Sequence, residues 1–412
     1  MLNKFSKRFK EIVKLSSELN SIQDFDILLE KILFYAREFV NADAGSIYVK
    51  EGNSLKFSHA QNQTLQNQLP PNKKLIYTIF ELPINQNSIC GYAADTGEIL
   101  NIPDAYNIPE DAPYKFNKEY DSISKYKTQS MLTIPLKTNI GEITGVLQVI
   151  NAKDKEGNII PFSKRDEPYI IHFANTASMV LQRAKMTRAL LMRMIQMTEL
   201  RDPKETGEHV NRVASYSVEL YERWARRKKI PEDVIEKKRD ILRMAAMLHD
   251  VGKVAVSDMI LKKKERFTKD EYEIMKAHTF LGARLFFDKQ SEFDEVAAIV
   301  ALNHHENWDG TGYPGHIDIS TGEATKIDNN GNPLPKKGDE IPIYGRIVAL
   351  ADVFDALSSK RVYKEPWEEK EVLIEIKKLS GKKFDPELVD VFFECLEEIK
   401  SMSKRYKEKE QS

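Results

Sequence analysis

Met244-Ala245-Ala246-Met247-Leu248-His249-Asp250-Val251-Gly252-Lys253 is the stretch on which the reading of this chain turns. Five apolar residues of a helical pattern deliver an imidazole and a carboxylate, side by side, into a core. Burying such a pair without a partner costs several kcal/mol, and metal coordination is the common remedy. Lys253 follows His249 by one helical turn and points the same way, which sets a cation beside any bound anion. From residue 200 onward strand signals nearly vanish and helical periodicity runs to the lysine-rich end, so the C-terminal half reads as an all-α domain.

Working outward, six of the eight histidines fall between His209 and His316. Glu205 and His209 are spaced i,i+4, so on a helix both project from one face and can grip one ion. His278 is a further candidate. The His304-His305 doublet opens the run His304-His305-Glu306-Asn307-Trp308-Asp309-Gly310-Thr311-Gly312-Tyr313-Pro314-Gly315, and Asp352 sits inside a second apolar helix, Ile347 to Asp355. A lone core His or Asp is most simply a satisfied core residue; this many in one helical domain make that reading improbable.

Imidazole and carboxylate without thiolate suit iron, then manganese, or zinc. The candidates exceed what a lone catalytic zinc uses, so a cluster of two or three divalent ions is expected, with Asp250 bridging two of them. The chemistry such a cluster suits is phosphoester hydrolysis: a metal-bridging hydroxide attacks phosphorus in line, and Lys253 helps neutralise the transition state.

His249 to Lys253 matches the HD-x-GK signature of the HD superfamily of metal phosphohydrolases, and His304 to Pro314 matches the HHExxDGxGYP signature of the HD-GYP subfamily. The chain resembles that subfamily over about residues 190 to 400. The resemblance implies hydrolysis of cyclic di-GMP to linear pGpG, and on to GMP as a further step, with diguanylate cyclases as partner proteins. Its ligand set corresponds here to Glu205, His209, His249, Asp250, His278, His304, His305 and Asp352. Tyr313 belongs to the turn beside the site. Arg361 and Lys364 resemble the family's ligand-contacting RPYK segment, and an Arg fork with a Lys point charge suits a dinucleotide's phosphates and guanine edges. Glu205 favours a third ion, since family members with an acid there resemble the three-metal type; the alternative is a residue that orients His209 or faces solvent.

Two departures stand out. Val362 replaces the usual proline, and His316 to Lys337 reads as an insertion rich in Gly, Asn, Asp and Pro, either a lid or a surface excursion. His316 is therefore not assigned as a ligand. Two rivals stay open: a protein that binds cyclic di-GMP and signals without turnover, and an HD phosphohydrolase for another nucleotide, including a mixed cyclic dinucleotide.

The N-terminal half has a different grammar. A helix capped at Ser21 and running to Val40 precedes β-type runs at Ser46 to Lys50, Leu55 to His59, Met131 to Leu136 and Thr144 to Ile150, which reads as an α+β domain with an antiparallel sheet. This half resembles a GAF sensor domain through that order and the stretch Gly91 to Glu98. Asn151, Lys153, Phe162, Asp166 and Glu167 loosely resemble the NKFDE pattern of cyclic-nucleotide-binding GAF domains; a degenerate or dimerising GAF is the other reading, and the GAF ligand is left unknown. Cys90 reads as a small core residue rather than a redox thiol. Between the halves, Ile170, Phe173, Ala177, Val180, Ala184, Thr187, Leu191, Met194 and Thr198 keep a 3-4 spacing, which predicts a long helix linking two domains and pairing with a second subunit; the alternative is a helix packed inside its own domain. The expected organisation is a GAF-like domain at 1–168, a linker helix and dimer seam at 169–200, a metal phosphohydrolase domain at 201–400 and a charged tail at 401–412.

Composition bounds the rest. Lys+Arg 62 against Asp+Glu 63 gives no one-sign field to attract a nucleic-acid polymer. Only Cys90 and Cys395 are present, which excludes a disulfide framework and a Cys-built zinc site. No apolar stretch suits a membrane span or an export signal, so a cytoplasmic homodimer is expected.

Overall fold

Period-two alternation on three central strands builds the N-terminal unit. In the computed structural model, which describes residues 2–71, 73–77, 80–201, 207–263, 265–359 and 366–406, the chain divides into two compact units, Met1–Arg188 and Ala189–Ser412. The first holds an antiparallel sheet of order β3-β2-β1-β6-β5-β4, with β7 paired to β6. Its long strands are β1 (Ala42–Glu51), β2 (Ser54–Asn62), β5 (Met131–Lys137) and β6 (Ile143–Lys153); β3 (Glu81–Pro83), β4 (Leu100–Ile102) and β7 (Ile159–Ile160) are short.

Alternate residues of the central strands serve two separate cores. Ile47, Val49, Leu132, Ile134, Leu147 and Val149 join a core with Ile12 and Leu19 of the first helix, Leu28 and Ile32 of the second, and Phe173. Their neighbours Tyr48, Met131 and Val146 face a second core with Phe57, Cys90 and Ala93. With both faces covered, side chains of either parity are apolar, which is why β1 is buried along eight consecutive positions.

The helix Phe25–Val40 is capped by Asp24, whose carboxylate accepts from the Asp26 and Ile27 amides at 2.9 and 3.0 Å. Ser21, expected as that cap, instead closes the preceding helix, Leu2–Ser21. A carboxylate beside the helix N-terminus meets the same orphan donors and interacts better with the dipole. The stretch around Gly91 is the helix Ile89–Thr96, capped by Ser88.

The helix Glu167–Glu199 corrects the expected dimer seam. Ile170, Phe173, Ala177, Val180 and Ala184 are buried in the core of the N-terminal unit, and Leu191 packs against the core of the C-terminal one. The 3-4 stripe is thus occupied within each unit. Met194, expected on the stripe, is exposed, as are the apolar residues Met179, Met186, Leu190 and Met197 beside it.

Among its described residues the regular elements of the C-terminal unit are all helices, joined by loops that carry isolated bridges. Helices Gly207–Arg227, Glu232–Met247, Glu292–Asn303 and Ile343–Ser358 enclose its core, which includes Val213, Leu220, Ala245, Val300, Ile347 and Phe392. The insertion closes on itself as a meander: Thr325 N donates to His316 O at 2.8 Å, His316 N to Leu334 O at 2.9 Å and Leu334 N to Lys326 O at 2.8 Å. Lys336 Nζ ties its end to Asn303 Oδ1 at 2.6 Å. Among the described residues no helix is long and apolar enough to cross a membrane.

Candidate metal centre

Each expected ligand among the described residues stands at a helix end or on an inward helix face. His209 lies in Gly207–Arg227, and His249 and Asp250 follow Glu232–Met247 as its chain turns into a 3-10 turn at Val251–Ala255. His278 opens helix His278–Arg284, His304 caps Glu292–Asn303 with His305 next, and Asp352 lies on Ile343–Ser358. Gly252 makes this convergence possible. A Cβ there would meet His278 O at 1.9 Å and Gly282 N at 2.4 Å, so only glycine lets the turn approach the neighbouring helix.

Two groups of ligand atoms result: Asp250, His278, His304 and His305, and separately His209, His249 and Asp352, with the atoms of each within 4.8 Å of one another. Asp250 faces both. Its Oδ1 lies 3.1 Å from His278 Nε2 and 3.4 Å from His304 Nε2, while its Oδ2 lies 3.5 Å from His249 Nε2. His209 Nε2 is 3.6 Å from Asp352 Oδ1.

The tautomers follow from the other ring nitrogen. His249 Nδ1 is 2.9 Å from Ala246 O, His278 Nδ1 2.6 Å from Met275 O, and His304 Nδ1 3.0 Å from Ala301 O. His209 Nδ1 is 2.8 Å from Asp355 Oδ2. Carbonyls and carboxylates only accept, so each Nδ1 carries the proton and each Nε2 presents a lone pair inward. His278 Nε2 and His304 Nε2 then face each other at 3.5 Å with no proton between them. His249 Nε2 and Asp250 Oδ1 are buried without a hydrogen-bond partner. Converging lone pairs that lack donors are costly unless a cation fills the space, so the residues fit divalent metal ions.

Electrostatics agree. Burial opposes ionisation of Asp250, but the positive charge of Lys253, first among its neighbours, works against burial, and the carboxyl lies well below its ordinary range. Burial, followed by the neighbouring imidazoles His304 and His278, pushes His305 well down, and burial lowers His304, so both stay neutral and able to ligate. Lys253 Nζ sits 2.8 Å from Asp250 Oδ2. Its backbone is in a 3-10 turn rather than an α-helix, so it pairs i,i+3 with Asp250 instead of stacking over His249. Tyr313 stacks on His305 with centroids 4.8 Å apart. His316 stands apart, 3.6 Å from Glu340. Glu205, Arg361 and Lys364 lie outside the described residues.

Sequence reasoning missed the residues behind the ligands. Asp355, 1% exposed, accepts from His209 Nδ1, from Arg212 Nε at 2.7 Å and from Arg212 Nη2 at 3.0 Å. The signal was available: Asp355 follows Asp352 by three residues and Arg212 follows His209 by three, each one turn along an otherwise apolar helix face. Glu306, also buried, accepts from Gly315 N at 2.6 Å and so fixes the start of the insertion.

In the N-terminal unit the five NKFDE-like residues do not converge. Lys153 pairs with Asp43, Asp166 with Arg8 at 3.3 Å, and Glu167 accepts from Asn101 at 2.8 Å. Asn151 donates to Lys127 O at 2.8 Å, and Phe162 is core. These polar groups serve separate local ties within the unit.

Fold and site together define an α+β domain followed by a helical domain with two His/Asp groups fit for metal ions. Residues 24–181 match the GAF domain model and residues 206–357 the HD domain model, so the chain is a GAF and HD protein in its domain content. Among curated relatives it is 37% identical over 216 residues to a cyclic di-GMP phosphodiesterase of Thermotoga maritima, covering 52% of this chain and 51% of that protein. It is 37% identical over 196 residues to a 3'3'-cGAMP-specific phosphodiesterase 2 of Vibrio cholerae, covering 48% and 32%. It is 43% identical over 150 residues to the cyclic di-GMP phosphodiesterase response regulator RpfG of Xanthomonas campestris, covering 36% and 35%. The chain thus spans from a third to a half of the length of these relatives.

Proposed function

We propose that this chain is a metal-dependent phosphodiesterase acting on cyclic di-GMP, regulated by its GAF domain. The observation that carries the reading is the pair of ligand groups meeting at Asp250 with inward Nε2 lone pairs. His278, His304 and His305 would hold one ion and His209, His249 and Asp352 another, with Asp250 between them. Glu205, four residues before His209 in the sequence, is assigned to a third. Histidine and carboxylate without thiolate suit iron first and manganese next. Bound there, divalent ions supply Lewis acidity toward a phosphoryl oxygen and toward water.

The chain's own residues do the remaining work. The backbone carbonyls behind His249, His278 and His304 keep each imidazole turned to the site. Lys253 holds one Asp250 oxygen and places positive charge where the phosphodiester arrives. Tyr313, stacked on His305, walls one side against water. Arg361 and Lys364 are assigned to the substrate's phosphates and guanine edges. A second reading, action on a mixed cyclic dinucleotide, is favoured by the similarity to the cGAMP-specific enzyme. A homodimer is assigned to the Met186 face of the long helix, and two free, buried cysteines suit a reducing compartment.

The test is incubation of anaerobically purified, metal-analysed protein with cyclic di-GMP, 3'3'-cGAMP and cyclic di-AMP, resolving linear dinucleotide from mononucleotide. The reading expects turnover of cyclic di-GMP that Asp250→Ala abolishes together with metal content. Binding without turnover in the fully loaded protein would turn the assignment to a signalling receptor. An Asp250→Ala protein with normal metal and hydrolysis would remove the metal model.

A further inference from the structure

The helix Lys269–Lys276 leads directly into the metal centre, because only Ala277 separates it from His278, the first residue of the next helix. Its start is fixed by a capping box, in which Glu271 N donates to Thr268 Oγ1 at 3.3 Å and Thr268 N donates to Glu271 Oε2 at 2.7 Å. Its end is fixed too: Met275 packs against a small core of Val256, Ile260 and Leu261, and Met275 O accepts from His278 Nδ1 at 2.6 Å. Side chains on this helix therefore keep a set register to the ligand groups.

Tyr272 and Lys276 are spaced i,i+4 and share one face of it. Lys276 Nζ lies 4.9 Å from the ring centroid of Tyr272 and 5.7 Å from that of Tyr313. The two tyrosine rings meet at 76° with centroids 6.1 Å apart. Tyr313 in turn stacks on His305 at 4.8 Å and meets His278 edge-on at 6.4 Å. Tyr272 thus ends an aromatic path that starts at two ligand imidazoles.

A single exposed tyrosine is ordinary on a protein surface. This one remains 43% exposed although Tyr313 and Lys276 both touch it, and it stands at the rim of a site suited to a phosphodiester. Glu273 engages Lys276 at 2.8 Å, so the ammonium is charge-matched, and its place over two rings orders them. A cyclic dinucleotide carries a purine close to each phosphate, so a phosphate at the metal groups brings a flat π face to this rim. Aromatic side chains are the common partners of unpaired bases.

We propose that Tyr272 is a nucleobase contact, stacking a purine of the cyclic dinucleotide while the neighbouring phosphodiester lies at the metal groups, with Lys276 holding the Tyr272 and Tyr313 rings in place. This rests on the function proposed above and adds to it the residue that receives the base. Stacking tolerates any base, so Tyr272 contributes affinity for purines without choosing between them.

The experiment is calorimetric titration of the full chain, loaded anaerobically with manganese, with GMP, AMP and ribose 5-phosphate, the last being sugar and phosphate without a base. Wild type should bind both nucleotides more tightly than ribose 5-phosphate. Tyr272→Ala should weaken GMP and AMP alike by about tenfold, within the range of one stacked base, and leave ribose 5-phosphate affinity and metal content unchanged. Tyr272→Trp should match or exceed wild type, whereas Tyr272→Leu, which keeps apolar bulk without a π face, should behave as Ala does and serves in its place should the Ala variant not fold. GMP affinity within about twofold of wild type in the Ala variant, or full affinity in the Leu variant, would overturn the stacking contact and leave the metal centre standing. So would wild-type protein that binds GMP no more tightly than ribose 5-phosphate, or an equal loss for all three ligands, which marks a structural role. Wild-type protein that takes up no metal would overturn this inference together with the metal reading beneath it.

Discussion

Replacing Asp355 with Asn tests how much of the metal centre depends on a residue that touches no ion. The carboxylate is buried, its ordinary value of 3.8 is moved down to about 2, and although burial opposes this, hydrogen bonds from His209 and Arg212 outweigh it. A folded-state value below the unfolded one means stability fully present above about pH 4 and lost as pH falls through about 2. At 1.36 kcal/mol per unit the difference corresponds to about 2 kcal/mol. Breaking a buried ion pair outright costs about 3–5 kcal/mol, but Arg212 keeps a second partner in Tyr406 O at 3.0 Å, so the smaller figure is expected.

The amide also changes the ligand. Asn has one acceptor oxygen, and Arg212 competes with His209 for it, so the imidazole loses the partner that holds its proton on Nδ1. Loss of such an outer partner typically weakens metal affinity about 10- to 100-fold. Urea unfolding of the metal-free protein should show Asp355→Asn less stable by about 2 kcal/mol at pH 6, with the gap closing toward pH 2. Metal titration should show weakened binding in the His209, His249 and Asp352 group while the ions held by His278, His304 and His305 remain. Wild-type stability at pH 6 together with unchanged metal affinity would refute the argument that Asp355 orients His209.

Three further outcomes are expected. Val180→Glu, in the core of the N-terminal unit, should destabilise the protein by about 3 kcal/mol or more in thermal or urea unfolding, whereas Met186→Glu with Leu190→Glu should leave stability nearly unchanged and shift the mass by light scattering from dimer to monomer; an unmoved mass would retire that face. Burial pushes the Cys90 thiol up to about 12, so at pH 8 iodoacetamide should label it only after denaturation, and rapid native labelling would contradict its place in the core. Arg361→Ala should weaken cyclic di-GMP affinity without changing metal content, and unaltered binding would remove the phosphate clamp.

The parts of the site that sequence made legible are those encoded by short spacings. His249-Asp250 and His304-His305 are adjacent in the chain, and polar pairs at the ends of apolar helices announce themselves. The long apolar strands of the sheet were legible for the same local reason, while β3, β4 and β7 are two- or three-residue strands that carry too little pattern to detect. Periodicity on the long helix showed that one face is covered but not by what. Phe173 and Val180 meet their own domain's helices, and that choice depends on residues far away in sequence. Lys253 was misdirected because the polypeptide tightens from α to 3-10 geometry after Leu248, which turns an i,i+4 neighbour into an i,i+3 partner of Asp250.

The same local-versus-distant distinction divides the metal centre itself. His249, His278 and His304 each give the Nδ1 proton to a carbonyl three residues earlier, so their ring orientation is fixed wherever their own helical turn forms. His209 Nδ1 faces a carboxylate, Asp355 Oδ2, at 2.8 Å. Its orientation rests on Asp355, which lies on the helix Ile343–Ser358, and Asp355 is in turn held by Arg212, which reaches the backbone of Tyr406 at the end of the helix Leu396–Arg405. Three ligands are therefore assembled by secondary structure, and the fourth only once three helices have docked. The His209 side of the centre is where packing of the whole domain is translated into ligand geometry, and a substitution that loosens the Leu396–Arg405 helix acts on that group before it reaches Asp250, His278, His304 and His305.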